Sequence, residues 1–565
     1  MTIAVASGLS LIGCVALDGN AVDNVAIDPP DYIIHNAHIV TVDDAFSIAS
    51  AVAVIDDKFG AVGTDAEVLA TAGPATRIID LDGQTVLPGF NDTHIHMTSG
   101  ERLEIQVDLA GMTSIKGIQE AIAERVAQSE PGKWVVGTRG WWEYNLEEGR
   151  LPTKEDLDAV APNNPVSIPG PHYMIVNSLG LELAGITRDA PDPQGGEIWH
   201  DPETGELTGL LMDNASRPVR ALLPSPTEEQ MMTGLRRVLA LANSHGLTSV
   251  GDPGGSHEQA QRFLALRDAG DLTVRMDFSY SVDPAAPLDE IEAELRTLPE
   301  PGFSTDDGMF RADQLGEVGL DGAELTAYLS HDFPGRPGYR GLQKVPDQQF
   351  REFAALANRM GWRLRPHAVG DAAIDQALDA FAYANRQKSI TGQRWMIDHA
   401  FLLLPRHYQN VRDLGVIINS QYMHNYQLGE LILKAWDRPL ADQSERYRDW
   451  LDNGIMFANG SDGPISYHAE PLLQIYGSIT RNTDWDGVLG PEQGLTREEA
   501  IRSVTSSSAY TTFEEEIKGS IEHGKYADFV IISDDILSVP VESIPNISIL
   551  GTILGGNVVY GKMVN

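Results

Sequence analysis

The chain of 565 residues contains 42% hydrophobic and 22% charged residues, a composition typical of a globular protein with two or more domains, which excludes a disordered or fibrous chain. Its 81 acidic and 41 basic residues give a net charge of −40, and this charge repels phosphate backbones and anionic membrane faces, so nucleic acid is not expected as a partner. Such acidity also aids solubility at high external salt, and we favour that interpretation over an acidic binding surface.

An apolar run of signal-sequence length occupies residues 3–17 and contains the single cysteine, Cys14, which cannot form an internal disulfide. The run is too short to span a bilayer securely, and Leu11-Ile12-Gly13-Cys14 resembles a bacterial lipoprotein processing box. No Lys or Arg precedes the run, so a misassigned start codon or a cytoplasmic protein with an apolar N-terminus is the alternative. We expect residues 1–22 to be a signal or lipoprotein segment and favour export, periplasmic or anchored by a lipid at Cys14, over a cytoplasmic location. No later segment has the length of a transmembrane span.

Short alternating strands are predicted near both ends of the chain. They cover residues 30–87 and return in KYADFVIISDD and ISILGTILGGNVVYGKMVN, within residues 511–565. The shared pattern predicts a small β-sandwich formed from both termini, with residues 30–87 as its first part and residues 511–565 as its second.

Residues 88–510 between these two parts read as strands that alternate with helices. Helical periodicity is clear in Ile374, Leu378 and Phe381. No dinucleotide glycine fingerprint follows the first strand, so the fold class predicted is α/β, a closed (β/α)8 TIM barrel, in preference to an open doubly wound sheet. The long gap after the first strand predicts an insertion over residues 98–224 that covers the barrel mouth. The eight predicted strands are 85–92, 246–252, 274–280, 316–320, 362–369, 394–401, 415–421 and 454–462.

Residues of types that commonly bind metals lie at the carboxyl ends of four of these strands. His94 and His96 end the first strand two residues apart, so both imidazoles point to the same side. His367, His399 and Asp462 end strands five, six and eight. Because the active site of such a barrel lies at the carboxyl ends of its strands, these residues predict a metal centre there. Imidazole and carboxylate ligands suit zinc, with manganese or iron as alternatives, and the minimum is one ion.

Four short motifs contain these residues: PGFNDTHIH (88–96), RPHAVGD (365–371), IDHA (397–400) and GSDGP (460–464). Together they resemble the amidohydrolase superfamily, and more narrowly its YtcJ-like branch (amidohydrolase family 3), which includes N-substituted formamide deformylases. The similarity extends from Asn36 to Val559. It includes KGSIEHGKYAD (518–528), where the chain re-enters the predicted sandwich.

The resemblance implies a set of ligands and one proton carrier. Asp462 would bind metal and also move the proton. On strand four, members of the branch often have Lys-x-x-x-Asp-Gly, and in the wider superfamily a carboxylated lysine there bridges two metals. This chain has Glu317 followed by Asp321 and Gly322, and a glutamate supplies a bridging carboxylate without carbon dioxide. Glu317 is therefore the candidate bridge, and the alternative is a barrel-lining glutamate beside a mononuclear site. The implied histidine ligands are His94, His96, His367 and His399.

The insertion and strand seven supply candidates for substrate binding. His172 is predicted to polarise the substrate carbonyl, or alternatively to bond to a loop carbonyl. Arg139 and Trp142 lie in WVVGTRGWWEYN (134–145) and could contact an aryl or carboxylate-bearing substrate, although clustered tryptophans also suit packing. Gln421 and His424 are further candidates for the pocket.

The sequence at the end of strand two differs from the one that relatives in the YtcJ-like branch often have. Asp252 closes that strand, where branch relatives often read His-Asp. This chain has Gly251 at the position of that histidine, so any role of the histidine is absent.

The resemblance thus implies a metal-dependent hydrolase that uses a metal-activated water to cleave a non-peptide carbon–nitrogen bond in a small molecule, such as an N-acyl or N-formyl amine. Cyclic amides, esters and lactones are rival substrates for the same pocket, and a metal-assisted isomerase is a rival reaction. A non-catalytic binding protein that keeps the barrel is the alternative from another class. The sequence leaves the oligomeric state open, a homodimer included.

Overall fold

The structure is a computed structural model, and it describes residues 29–170, 172–464, 468–484 and 487–563. The predicted signal segment over residues 1–22, with Cys14, lies outside the described residues. Among the helices of the described residues, none combines the length and the apolar character that crossing a bilayer requires.

Eight parallel strands form a nearly closed barrel, as predicted, and each pairs with the next along the chain. The fourth strand begins at Phe310, earlier than the predicted start at residue 316, and the short strand Phe303–Ser304 pairs with it in antiparallel register. The barrel strands, numbered one to eight in chain order, are Phe90–Asp92, Leu247–Gly255, Arg275–Tyr280, Phe310–Gly319, Arg363–Ala368, Met396–His399, Ile417–Ser420 and Phe457–Asn459.

Backbone hydrogen bonds just beyond the ends of strands one and eight draw the two sides of the barrel together. The amides of Ser461 and Asp462 donate to the carbonyl oxygen of His94 at 3.1 and 2.7 Å. The carboxylate of Asp92 accepts from the amides of His94 and Ser461, each at 3.0 Å. The junction that closes the barrel therefore carries two of the predicted metal ligands, His94 and Asp462.

The single strand predicted over residues 85–92 is wrong, because the structure has two strands there. Thr85–Pro88 belongs to the sandwich and Phe90–Asp92 to the barrel. Gly89 separates them, and a Cβ atom at this position would lie only 2.1 Å from Oγ1 of Thr248. The chain thus passes from one sheet to the other at a point where no side chain fits.

Helices follow the barrel strands and bury their periodic apolar residues against them. In Asp371–Gln387, the predicted positions Ile374, Leu378 and Phe381 are all buried. The helix Glu228–Ser244 begins with a capping box, in which Thr227 and Gln230 exchange side-chain and backbone hydrogen bonds. The α-helices are Asp65–Leu69, Ile115–Ala127, Lys154–Asp158, Ser178–Leu183, Arg217–Arg220, Glu228–Ser244, His257–Asp268, Leu288–Leu295, Asp347–Met360, Asp371–Gln387, Tyr408–Leu414, Tyr422–Ala441, Tyr447–Asp452, Pro471–Thr480, Arg497–Ser503 and Ser506–Thr511. The 3₁₀ helices are Met97–Ile105, Glu143–Asn145, Asn214–Ser216, Pro405–His407, Pro491–Gln493 and Val541–Asn546.

Two sheets form the predicted sandwich, and both termini contribute to it. Their shared core contains Ile34 and Val52 from the first part of the chain and Phe529 and Ile553 from the second. One sheet has the order Lys58–Gly63, Ala51–Ile55, Tyr32–His35, Arg77–Asp80. The other has the order Asn557–Gly561, Ile549–Leu554, Phe529–Ile532, Thr85–Pro88, His38–Val40, Ile48–Ala49.

A five-stranded sheet forms within the long segment between barrel strands one and two. It has its own apolar core, which includes Trp141, Ile168 and Ile175. One turn of this sheet brings the ring of His172 to 4.9 Å from the ring of His367, a residue of barrel strand five. The segment therefore contacts the carboxyl ends of the barrel strands. The strand order is Gly196–His200, Leu207–Asp213, Tyr173–Val176, Val166–Gly170, Val135–Val136.

Candidate metal centre

His94, His96 and Asp462 come together at the carboxyl end of the barrel. Oδ1 of Asp462 lies 2.8 Å from Nε2 of His96 and 3.4 Å from Nε2 of His94. Nε2 of His94 is fully buried and has no hydrogen-bond partner among the described residues. A buried ring nitrogen without a partner is costly unless something else binds it.

The carboxylate of Glu317 lies among four imidazoles, close to the end of barrel strand four. Its Oε1 atom is 2.8 Å from Nδ1 of His367 and 2.7 Å from Nε2 of His399. Its Oε2 atom is 3.8 Å from Nε2 of both His94 and His96. The two oxygens of Glu317 thus face two different pairs of histidines.

A buried polar network holds His94 from behind. Nδ1 of His94 lies 3.3 Å from Oδ1 of Asp398, which is fully buried. Arg365 donates to Asp398 through Nε and Nη2, both at 2.9 Å, and Asn419 donates to it at 2.7 Å. Nη2 of Arg365 also lies 3.1 Å from Nδ1 of His94, so the Arg365–Asp398 pair fixes the ring from this side and leaves its other nitrogen for a ligand. Asp398 and Arg365 both lie in the motifs RPHAVGD and IDHA, but their spacing in the sequence does not indicate that they pair behind His94.

Gln421 and His424 contact residues of the cluster. Gln421 is buried, and its Oε1 atom accepts a hydrogen bond from Nδ1 of His399 at 2.7 Å. Nε2 of His424 lies 2.9 Å from Oδ2 of Asp462. Gln421 therefore orients His399, whereas His424 contacts Asp462. Contact of Gln421 or His424 with substrate stays a prediction.

His172 faces the cluster from the insertion. Its Nδ1 atom donates to Oδ1 of Asp213 at 2.8 Å, so the partner is a carboxylate and not the loop carbonyl considered from the sequence. Lys344 reaches the same Oδ1 at 2.8 Å, and the hydroxyl of Thr326 donates to Oδ2 at 3.0 Å. Burial raises the pKa of Asp213, but Lys344 and His172 outweigh burial and lower the pKa well below its usual range. The side chain of Asp213 is therefore ionised, and Nδ1 of His172 must carry the proton.

The cluster favours a positive charge. Burial raises the pKa of both Asp462 and Glu317, but hydrogen bonds with the surrounding histidines lower both pKa values well below the usual range. Burial lowers the pKa of His367 to about 3 and that of His424 to about 4, so both rings are neutral and carry a lone pair. Burial lowers the pKa of His94 and of His399, but Asp398 raises that of His94 to about 10 and Glu317 raises that of His399 above its usual value, so these two rings would release a proton when a cation binds.

The donor set fits a divalent cation. Among the residues that the structure describes, three groups of side chains offer ligand atoms that lie within 4.8 Å of one another, and these groups share members. Nitrogen and carboxylate oxygen ligands at this density suit zinc. The groups are His94, His96 and Asp462; His94, Glu317 and His399; and His399, His424 and Asp462.

The remaining predicted site residues are Arg139 and Trp142, both from the insertion. Arg139 lines a cavity that reaches His96. Trp142 packs in the core of the barrel, while its neighbour Trp141 packs in the core of the insertion. A Cβ atom at Gly251 would lie 2.6 Å from the carbonyl oxygen of Thr93, which leaves no space for the histidine that branch relatives often have.

Comparison with known proteins gives a family match over most of the chain. The profile of a family described as amidohydrolase family matches residues 77–560. Three curated proteins are similar over 94% of the chain. Protein LONG AFTER FAR-RED 3 of Arabidopsis thaliana is 27% identical, with 91% of its length covered. N-substituted formamide deformylase of Arthrobacter pascens is 26% identical, with 98% covered, and the protein YtcJ of Bacillus subtilis is 27% identical, with 99% covered.

Solved structures share the fold. A metal-dependent hydrolase from Pyrococcus furiosus superposes with a TM-score of 0.68 at 24% identity, covering 90% of this chain and all of that chain. The atrazine chlorohydrolase TrzN from Arthrobacter aurescens, crystallised with zinc, superposes with a TM-score of 0.53 at 15% identity, covering 94% of this chain and 96% of that chain.

Proposed function

The chain belongs to the amidohydrolase family, and on that premise we propose that it is a metal-dependent hydrolase that cleaves a non-peptide carbon–nitrogen bond. One observation carries the proposal: His94, His96 and Asp462 offer three ligand atoms within 4.8 Å of one another at the carboxyl end of the barrel. The name of one relative, N-substituted formamide deformylase, supports an N-formyl or N-acyl amine as the substrate class.

The residues that would hold the metal are the four histidines together with Glu317 and Asp462. A bound divalent ion lowers the pKa of water towards neutrality and polarises a carbonyl group. Zinc is the preferred ion, because it suits this donor set and occurs in the similar chlorohydrolase structure. The four histidines are His94, His96, His367 and His399.

We further propose that Glu317 bridges two ions. Its Oε2 atom faces His94 and His96, and its Oε1 atom faces His367 and His399, so one carboxylate serves two pairs of ligands. A mononuclear site with Glu317 as a neighbour is the alternative. Metal stoichiometry separates the two.

Asp462 is the proposed proton carrier. Its ionised carboxylate can accept a proton from the water that attacks the carbonyl carbon and can then pass that proton to the leaving nitrogen. This transfer completes the reaction of an amide and water to an acid and an amine. His424, at 2.9 Å from Oδ2, holds the carboxylate in place while Oδ1 faces His96.

His172 is the proposed donor to the substrate carbonyl oxygen, a role that requires a proton on Nε2 as well as on Nδ1, because Nδ1 donates to Asp213. Asp213 accepts from Nδ1 and thereby fixes the orientation of the ring, which lies 4.9 Å from the ring of His367. Both His172 and Asp213 have positive φ angles, 49° and 46°, a backbone conformation that is costly for residues other than glycine. This strained backbone supports the proposal that the insertion holds His172 over the cluster.

The test is a substrate screen on zinc-loaded enzyme, with formamides, N-acyl amino acids, dipeptides, hydantoins and lactones. We expect turnover of at least one amide, its loss on chelation and its return on addition of zinc. Turnover of a lactone alone would move the assignment to an esterase-type reaction, and no turnover in the whole screen would favour a binding protein. Incorporation of oxygen-18 from water into the product separates hydrolysis from isomerisation.

A further inference from the structure

We infer that the substrate carries a carboxylate, which binds to Arg102, Arg139 and Arg220 in a cavity beside His96. This inference rests on the proposed function, since it names the class of amide that the site accepts: an N-acyl or N-formyl amino acid. The amide would lie at the His96 end of the cavity and the carboxylate at the arginines.

The cavity has a volume of about 350 Å³ and opens beside the metal cluster. His96, whose side chain is 29% exposed, forms part of its wall, whereas the side chains of His94, His367 and His399 are at most 4% exposed. A molecule in this cavity therefore reaches the cluster through the face of His96. The volume is at the small end for ligand sites, which suits a molecule of amino-acid size.

Three separate parts of the insertion over residues 98–224 bring the arginines to this cavity. Arg102 lies on the 3₁₀ helix Met97–Ile105, which directly follows barrel strand one. Arg139 lies in the loop after the strand Val135–Val136, and Arg220 lies on the helix Arg217–Arg220. Convergence of three guanidinium groups is unusual in a chain whose net charge is −40.

Two of these arginines, Arg102 and Arg220, donate hydrogen bonds to neutral groups, which do not neutralise the positive charge of the side chains. Arg102 donates to the carbonyl oxygen of Pro224 at 2.7 Å, and Arg220 donates to the hydroxyl of Ser216 at 2.9 Å. Both acceptors are neutral. The nearby carboxylate of Glu101 is engaged elsewhere, with Arg262 at 3.0 Å. No Asp or Glu of the described chain lines the cavity.

The electrostatics agree with this geometry. Desolvation at the cavity wall and the neighbouring Arg139 lower the pKa of Arg220 to about 10, and Asp213 offsets only part of this shift, so the guanidinium stays charged at neutral pH beside other cations. An anion bound between the arginines would remove their mutual repulsion. Guanidinium groups bind carboxylates through paired hydrogen bonds, which also orient the bound molecule.

The rest of the wall suits the body of such a molecule. Val136, Met174 and Leu223 supply apolar surface, and Gln106 and Gln259 supply amide groups. Because the protein as a whole repels anions, a local cluster of arginines is what a carboxylate-bearing substrate would need in order to bind. Neutral amides gain nothing from the three charges.

The test compares matched acids and carboxamides on zinc-loaded enzyme. N-formylphenylalanine is paired with N-formylphenylalaninamide, and N-acetylmethionine with N-acetylmethioninamide. We expect kcat/KM for the acid to exceed that for the carboxamide by about 10- to 100-fold, the loss expected when a charged hydrogen bond is removed. A binding readout accompanies turnover: the rise in Tm caused by each compound, which we expect from the acid and not from the carboxamide.

Variants at Arg220 test whether this side chain causes the preference for the acid over the carboxamide. Arg220→Gln should lower kcat/KM for the acid about 10- to 100-fold and leave the carboxamide within about threefold, and Arg220→Lys should recover part of the loss. Arg188→Gln is the matched control, because Arg188 pairs with Glu206 on the surface of the same insertion and lies outside the cavity wall. Circular dichroism and zinc content establish that each variant is folded and loaded.

Equal Tm shifts and equal kcat/KM for acid and carboxamide would overturn the inference while leaving the hydrolase assignment intact. A Tm shift specific to the acids and abolished in Arg220→Gln would support the inference even if no compound were hydrolysed, in which case the proposed function alone would fail. Absence of any shift or turnover with the acids would overturn the inference.

Discussion

Oδ1 of Asp462 lies 2.8 Å from Nε2 of His96, so the last and the first strands of the barrel meet at one shared site. The backbone of Asp462 is held in the left-handed region at φ 59°, and its amide donates to the carbonyl oxygen of His94 at 2.7 Å. Closure of the barrel and formation of the site therefore depend on the same few atoms. Substitution of the side chains of His96 or Asp462 should lower catalytic activity more than stability, because the backbone hydrogen bonds that close the barrel remain.

Asp462→Asn should reduce kcat by about 10²- to 10⁴-fold, since the amide cannot carry the proton to the leaving nitrogen. Far-UV circular dichroism and Tm should stay close to the wild type. Asp413→Asn, at a surface carboxylate that accepts from Gln409, is the control and should retain full activity. An Asp462→Asn enzyme with wild-type kcat would refute the assigned proton route.

Glu317→Ala should lower the zinc content of purified protein from about two equivalents to one or fewer, because one carboxylate would no longer serve both pairs of histidines. Inductively coupled plasma mass spectrometry on zinc-dialysed samples measures this content. One equivalent in the wild type, unchanged in Glu317→Ala, would show that Glu317 is not a bridge.

Asp213→Asn should make the protein less stable at pH 7 and flatten its acid denaturation. The folded-state pKa of Asp213 is depressed, so its contribution to stability is full above the unfolded pKa of about 3.9 and is lost as the pH falls below it. Urea unfolding of wild type and variant between pH 3 and pH 7 measures the difference.

The stability gap between the two proteins should be largest at pH 7 and should shrink from about pH 5 downwards. Subtraction of the two curves removes the titration of the other groups, which both proteins share. A gap that stays constant or widens on acidification would contradict the ionised Asp213 described here.

Asp398→Ala should destabilise the fold by about 3–5 kcal/mol, because it leaves the buried guanidinium of Arg365 without its carboxylate. Asp379→Ala breaks a pair with Arg351 in which both side chains are partly exposed, and it should cost about 0–1 kcal/mol. Denaturant midpoints of the two variants measure the contrast. Equal losses would contradict the buried network behind His94.

The barrel and its histidines could be predicted because each signal is local. Apolar runs followed by a side chain of a type that binds metals, such as Trp395–Ile397 shortly before His399, mark both a strand and its carboxyl end. The turn at Gly89 could not be found in this way, because its cause is the approach of Thr248 from a distant strand. Periodicity alone reads the residues on both sides of Gly89 as one strand.

The contacts that the insertion makes in the site could not be predicted from the sequence either. Asp213 and Lys344 have no sequence spacing that relates them to His172, and only the fold brings all three together. Arg102 and Arg220 are likewise far apart in the chain and line one cavity. Surface arginines are common, so their sequence positions carried no signal.

The most direct test of the metal centre is anomalous X-ray scattering from crystals grown with zinc. We predict a peak at the zinc edge within coordinating distance, about 2.0–2.2 Å, of a ring nitrogen of His94 and His96 and a carboxylate oxygen of Asp462. The same peak should be absent from crystals of His94→Ala. A peak bound by none of these three residues, or its absence from wild-type crystals soaked in zinc, would contradict the account.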